Sequence, residues 1–166
     1  NLCGFIFKNR SPSSGMERVK VYDGNNVPRA VGVGIFARAF KDHFPLLPTE
    51  EEGRLHDPLL RENFIEQIFV YQRWREVADA PTAAKLISFH TTHKLLLMAH
   101  SEKHTREMGR LMAQAGSLDL DTFIERYQEL LMAAMSQSFS SERRLAFPPT
   151  AAMLLLTEYS VPKRGR

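Results

Sequence analysis

The chain has a single cysteine in 166 residues, so no internal disulfide can form and a disulfide-stapled secreted scaffold is excluded. A reducing, cytoplasmic setting is the expectation. No apolar run approaches the roughly 18 residues that a membrane-spanning helix needs. An initiator methionine is missing, and the opening NLCGFIFKNR lacks the charged-then-apolar layout of a secretory signal. A processed piece, or an incomplete reading of a larger protein, is therefore expected. The body of the chain also lacks a charge surplus. Lys163, Arg164 and Arg166 supply the whole of the formal +3, so the basicity belongs to the tail and a body-wide phosphate-binding surface loses its main support. No nucleophile elbow is present. Gly32-Val33-Gly34 is no dinucleotide fingerprint, because its spacing is wrong and no suitable strand precedes it; its glycines are read as a turn into the next helix.

What is present is a 43% hydrophobic chain, long enough to bury a core as one domain or one and a half. Up to about Glu52 it reads as short extended pieces and turns. GFIFK is a compact strand, and ERVKVYD alternates Val19 and Val21 with Arg18, Lys20 and Tyr22. Asp23 to Asn26 is a turn cluster. In IFARAFKDHF, Ile35, Phe36, Ala39 and Phe40 fall at helical spacing before Pro45 ends the run. From Asp57 the pattern becomes helical. Asp57-Pro58 is an N-cap with a first-turn proline, and Phe64, Ile65, Ile68, Tyr71 and Val77 mark a stripe. A break at Asp79-Ala80-Pro81 starts a second helix. Leu120, Phe123, Ile124, Tyr127, Leu130, Leu131 and Ala134 form a third stripe behind Asp119 and Asp121. Such stripes bury one another in an antiparallel helical bundle. After about Ser138 the composition turns to Ser, Arg and Pro, and an irregular tail is expected.

Candidate chemistry centres on histidine. FHTTHKLLLMAHSEKH carries His90, His93, His100 and His104, four of the six in the chain. On a continuous helix these and Leu97 share an arc of about 80°. Neutral imidazole ligates zinc, and the i, i+3 pair His90 and His93 can approach one ion. Thr91 and Thr92, however, stand where a zinc helix would carry a glutamate base. Ser101 can also cap a new helix and separate His104 from the rest. Three readings stay open: hydrogen-bonding residues of a half-buried helix, which is favoured; a metal site; or a site for an acidic or nucleobase ligand helped by Lys94. Glu50, Glu51 and Glu52 form a carboxylate run that reads as a solvated turn. Arg61, Glu62, Arg73 and Arg75 read as an ion-paired helix face.

SPSSGMERVKVYD, GVGIFARAFKDHFPLLPTEEEGRLHDPLLRENFIEQIFVYQRWREV and FHTTHKLLLMAHS together resemble bacterial proteins in which a thiouracil-desulfidase-like domain is fused to a YbgA-like domain of unknown function. The likeness runs from about Leu2 to Met135. It implies that residues 1–54 are the C-terminal part of the desulfidase-like domain, 55–138 the YbgA-like helical domain and 139–166 a tail. In the desulfidase-like family three cysteines hold a [4Fe–4S] cluster whose remaining iron takes the sulfur of a thiolated base. The last of those cysteines lies in a Ser-Pro-Ser-Cys-Gly loop. Here Ser14 stands at that position, between Ser11, Pro12, Ser13 and Gly15, so the resemblance implies a loop that keeps its shape and has lost its ligand. Cys3 lies outside the motif. His90, His93, Lys94 and His100 fall on the YbgA-like segment and are its candidate binding residues. A further family helix is not continued here, which implies a frameshifted or truncated reading near Ser138 and an apolar stripe left open to association.

The expected fold is thus α+β, mainly α: a short strand-and-turn segment from a partial α/β domain, then an antiparallel helical bundle. Two functional classes follow. One is a non-catalytic accessory module serving a desulfidase-type partner, a thiolated nucleobase or RNA, with no membrane association. The other is a [4Fe–4S]-dependent desulfidase in the intact fusion, with a His-rich metal-binding helical domain as a further alternative.

Overall fold

The structure, a computed structural model, describes residues 2–137; the tail expected over 139–166 lies outside the described residues. Five α-helices and four short strands make the fold α+β and mainly α. The chain divides into two compact units, one ending at Asp79 and one starting at Ala80.

The first unit begins with strand β1 (Phe5–Phe7), which pairs in parallel with β4 (Thr49–Glu51). A parallel pair needs a crossover, and helix α1 (Ile35–His43) supplies it. Phe40 of α1 packs on Phe5 and Phe7 with ring centroids 4.5 and 5.5 Å away, so aromatic side chains form the seam between helix and strand. Ala37 is fully buried, whereas Ile35, placed on the expected stripe, is 83% exposed. Within the crossover an antiparallel hairpin joins β2 (Val19–Tyr22) to β3 (Pro28–Gly32). Its turn is stapled by the Asp23 carboxylate, which accepts from the Asn25 and Val27 N–H groups at 2.9 Å. Asn26, not Gly24, takes the left-handed conformation there, at φ 60°.

Helix α2 (Pro58–Ala78) closes this unit. Asp57 caps it as expected, accepting from the Leu59 N–H at 2.8 Å. Its buried residues are Asn63, Phe64, Glu66, Val70 and Trp74, while Ile65 is exposed; the stripe read from apolar spacing alone is therefore rotated toward Trp74. Of the residues assigned to an ion-paired face, Arg61 donates to the Leu55 carbonyl and Arg75 to the Leu2 carbonyl, at 3.0 and 2.9 Å. The division in space follows α2, whereas the sequence reading divides the chain after residue 54.

The second unit holds α3 (Ala83–His100), α4 (Glu102–Ala113) and α5 (Leu120–Met135), which pack on one another. Thr82, Ser101 and Asp119 cap their N-termini through side-chain oxygens, satisfying amide groups that would otherwise be orphaned. Phe123, Tyr127 and Leu131 of α5 are buried as the third stripe requires, though Leu120 at its start is half exposed. Ser101 is extended, with φ −156° and ψ 105°, and ends α3 while it starts α4. The four histidines therefore do not share one continuous helix: His104 belongs to α4. A serine side chain that can replace a helical amide partner outweighs the uninterrupted apolar pattern at this point.

Candidate functional site

Residues Ser11 to Gly15 form a tight turn closed by Gly15 N–H donating to the Ser11 carbonyl at 2.8 Å. The Ser14 N–H reaches the Ser11 hydroxyl at 3.3 Å, and Ser14 itself is half-buried. The turn sits on the start of α1. The Ser13 carbonyl accepts from the Phe36 and Ala37 N–H groups at 2.8 and 3.2 Å, and the Gly15 carbonyl accepts from Gly34 at 2.8 Å. Helix N-termini offer unpaired N–H groups, and this loop consumes them. A Cβ at Gly34 would lie 2.3 Å from the Ser13 carbonyl oxygen, and one at Gly15 would lie 2.8 Å from the Ser11 carbonyl oxygen. Both glycines are demanded by close approach of backbone. Gly34, read as part of a turn into the next helix, is the N-cap of α1, and a strand, β3, does precede the pair by running to Gly32.

Behind the loop, Glu51 is 4% exposed and its carboxylate accepts from the Met16 and Glu17 N–H groups at 2.7 and 3.3 Å. The acidic run is therefore a solvated turn only at Glu52, which is exposed, whereas Glu50 and Glu51 lie on β4 with diverging side chains. Glu50 pairs with Arg54 at 2.8 Å and Glu52 with Lys8. Arg10 and Arg18, on either side of the loop, are left-handed at φ 54° and 56°, a conformation that strains a residue with a Cβ by roughly 1–2 kcal/mol.

A [4Fe–4S] cluster needs several soft donors converging on one point. The loop offers the Ser14 hydroxyl. Cys3 lies before the opposite end of β1, four residues or about 13 Å of extended chain from Phe7, where Glu51 and the loop are anchored. There it belongs with α2: the Leu2 carbonyl takes Arg75, the backbone of Gly4 meets Ile68, and burial raises the Tyr71 phenol beside Cys3 and Arg75. No group of three or more His, Cys, Asp or Glu side chains converges among the described residues. The residues present do not fit the cluster.

In the second unit each histidine has its own partner. His90 Nδ1 lies 3.0 Å from the Tyr127 hydroxyl. Burial, then the nearby Lys94 charge, lowers the His90 pKa, and burial raises that of Tyr127. A neutral phenol that donates to Nδ1 puts the ring proton on Nε2, whereas an Nδ1–H that donates to the phenol oxygen leaves Nε2 an acceptor. His93 is buried against Phe89, stacked at 4.1 Å, and its Nδ1 donates to the Phe89 carbonyl at 2.8 Å. His100 Nδ1 donates to the Gln137 carbonyl at 2.6 Å, and His104 Nδ1 lies 2.8 Å from the Ser101 hydroxyl. His90 and His93 thus turn their Nδ1 atoms to different partners.

Of the four candidate binding residues, the structure places His90 and Lys94 along one groove of about 230 Å³ between α3 and α4, which Met98, Glu102, Arg106 and Gly109 also line. His93 and His100 are buried. Sequence reasoning missed Arg106 and Gly109, and it placed Glu51 in a solvated run and Tyr127 on a core stripe without their partners. An isolated glycine inside a helical run was the one signal available for Gly109.

Comparison with protein families supplies two matches. Residues 1–52 match the model described as 2-thiouracil desulfurase. Residues 94–147 match a protein of unknown function, DUF1722. The chain joins segments of two families. No curated protein and no solved structure matches it. The desulfurase segment contains the Ser14 loop and ends just past Glu51. The DUF1722 segment begins at Lys94 and includes His100 and the α4 side of the groove; helix α2 lies between the two matches.

Proposed function

We propose that this chain is a binding or accessory module carrying a desulfurase segment that has lost its cluster chemistry. One observation carries the reading: a hydroxyl stands at the expected thiolate position of an otherwise intact loop, and the single cysteine is held at the far end of β1. A serine hydroxyl gives up its proton far less readily than a thiol and is a harder ligand, so it does not replace thiolate on a soft iron–sulfur centre. The partner would be a desulfidase-type protein, or a thiolated nucleobase or RNA presented to it, in the cytoplasm. Among the described residues no helix is long and apolar enough to cross a membrane. Ile87 and Leu95, 57% and 52% exposed on α3, are the apolar surface through which association would proceed.

Anaerobic reconstitution with iron and sulfide tests this. The expected product is colourless, with iron and labile sulfide well below stoichiometric, and releases no sulfide from 2-thiouracil. The Ser14→Cys variant is expected to stay colourless too, because one restored thiolate does not complete a cluster site. A stable brown protein that desulfurises 2-thiouracil overturns the proposal.

A further inference from the structure

Gly109 sits in the middle of α4, and a Cβ built on it would meet nothing within 4 Å. A helix-interior glycine is less stable than alanine there, and neither packing nor a positive φ requires it at this position. The bare backbone does keep one space open: the groove it lines with His90, Lys94 and Arg106. That lining is mostly apolar, with two cations and an imidazole set in it beside the Glu102 carboxylate. Lysine and arginine only donate. With His90 Nδ1 committed to Tyr127 of α5, the edge that His90 can offer the groove is Nε2, a donor in the tautomer in which the phenol donates to Nδ1. Lys94 has no carboxylate partner among the described residues. Arg106 reaches Glu102 at 3.3 Å in an exposed i, i+4 pair, a weak contact that an oxyanion can displace.

We propose that the α3–α4 groove is a binding site for a small phosphate monoester, held by Lys94, Arg106 and the Nε2–H of His90 over the bare backbone of Gly109. A phosphate monoester presents up to two negative charges and several acceptor oxygens, which suits a guanidinium, an ammonium and a neutral N–H donor better than a singly charged carboxylate does. At about 230 Å³ the groove is smaller than the roughly 300 Å³ at which pockets for drug-sized ligands begin. It holds a phosphate with a small substituent, and a larger substituent extends past the open rim. This inference deepens the binding-module reading, but it stands on residues of the second unit alone, so the iron reconstitution and the phosphate titration fail independently.

The test is a calorimetric titration of the full chain, at low salt, with inorganic phosphate, a nucleoside 5′-monophosphate and the corresponding nucleoside. Both phosphates should bind, the nucleoside should not, and added salt should weaken binding. Lys94→Gln should weaken binding about tenfold, the value of one charge-assisted contact. Gly109→Leu should abolish it while circular dichroism stays that of the wild type, since leucine favours the helix and its side chain extends into the groove. Absence of phosphate binding, or equal affinity in both variants, overturns the proposal. So does Lys94-dependent binding of a single-stranded oligonucleotide without a terminal phosphate, which would make the groove a nucleic-acid backbone site.

Discussion

The Ser14 loop and the α3–α4 groove are built on opposite terms. Around the loop nearly everything fixes shape. Backbone groups of α1, a buried carboxylate from β4 and two glycines hold five residues in place, around the Ser14 hydroxyl on which the proposed function turns. Around the groove little fixes shape beyond two helix faces, while Lys94, Arg106 and His90 line it and a glycine leaves it open. A site's geometry is written in backbone contacts spread over many residues, whereas its chemistry can rest on a single side chain. One substitution can therefore silence a site and leave its architecture standing.

Two glycine-to-alanine substitutions break this comparison most sharply, because they carry opposite signs. Gly34→Ala forces a methyl against the Ser13 carbonyl, a backbone atom that cannot step aside without lifting the loop from α1. A loss of about 3 kcal/mol is expected, at the upper end for overpacking. Trp74, the single tryptophan, is buried in α2 of the first unit, so its fluorescence reports that unit's urea transition. Gly109→Ala should instead stabilise the second unit by up to about 1 kcal/mol, read by far-ultraviolet circular dichroism. If both variants shift stability in the same direction, the contrast between a shape glycine and a space glycine is wrong.

Glu51→Ala comes next. Truncation leaves the Met16 and Glu17 amide groups without their buried acceptor, at about 2 kcal/mol for the first unit. Hydrogen exchange should speed up at those two amides. Unchanged exchange at Met16 would mean that the carboxylate does not anchor the loop. Tyr127→Phe is expected to be milder, about 1 kcal/mol from the second unit for one hydrogen bond. Its diagnostic readout is the nitrogen chemical shift of His90, because the imidazole loses the donor that fixes its tautomer.

Much of this architecture was legible in the residues. Asp57-Pro58 and Asp119 announce helix starts through local capping chemistry, the break at Asp79-Ala80-Pro81 announces α3, and the α5 stripe announces its buried face. Local signals also competed. At Ser101 the capping oxygen prevailed over the apolar pattern and split a histidine face that periodicity alone joins. Glu51 was illegible because a run of three glutamates looks solvated until pairing with β1 turns the middle residues in alternate directions. The Tyr127–His90 contact spans 37 residues, and the groove needs α3 beside α4. Nothing local encodes either.

The smallest expected effect lies in the pH dependence of the second unit. Burial and the Lys94 charge hold the folded His90 pKa below its ordinary value, so the unfolded chain binds this proton more readily than the folded one. Stability from this group is fully present above the unfolded value of about 6.5 and is lost as pH falls through the depressed folded value. His90 is only partly buried, so solvent screening keeps the effect small. The wild type should lose stability between neutral and mildly acid pH, and His90→Gln should lose less over the same interval. Lys94→Gln separates the two causes: removing the ammonium should raise the His90 pKa part of the way, leaving the burial contribution in place. If His90 titrates at its ordinary value in the wild type, burial and the Lys94 charge do not act on the imidazole as the contacts around it imply.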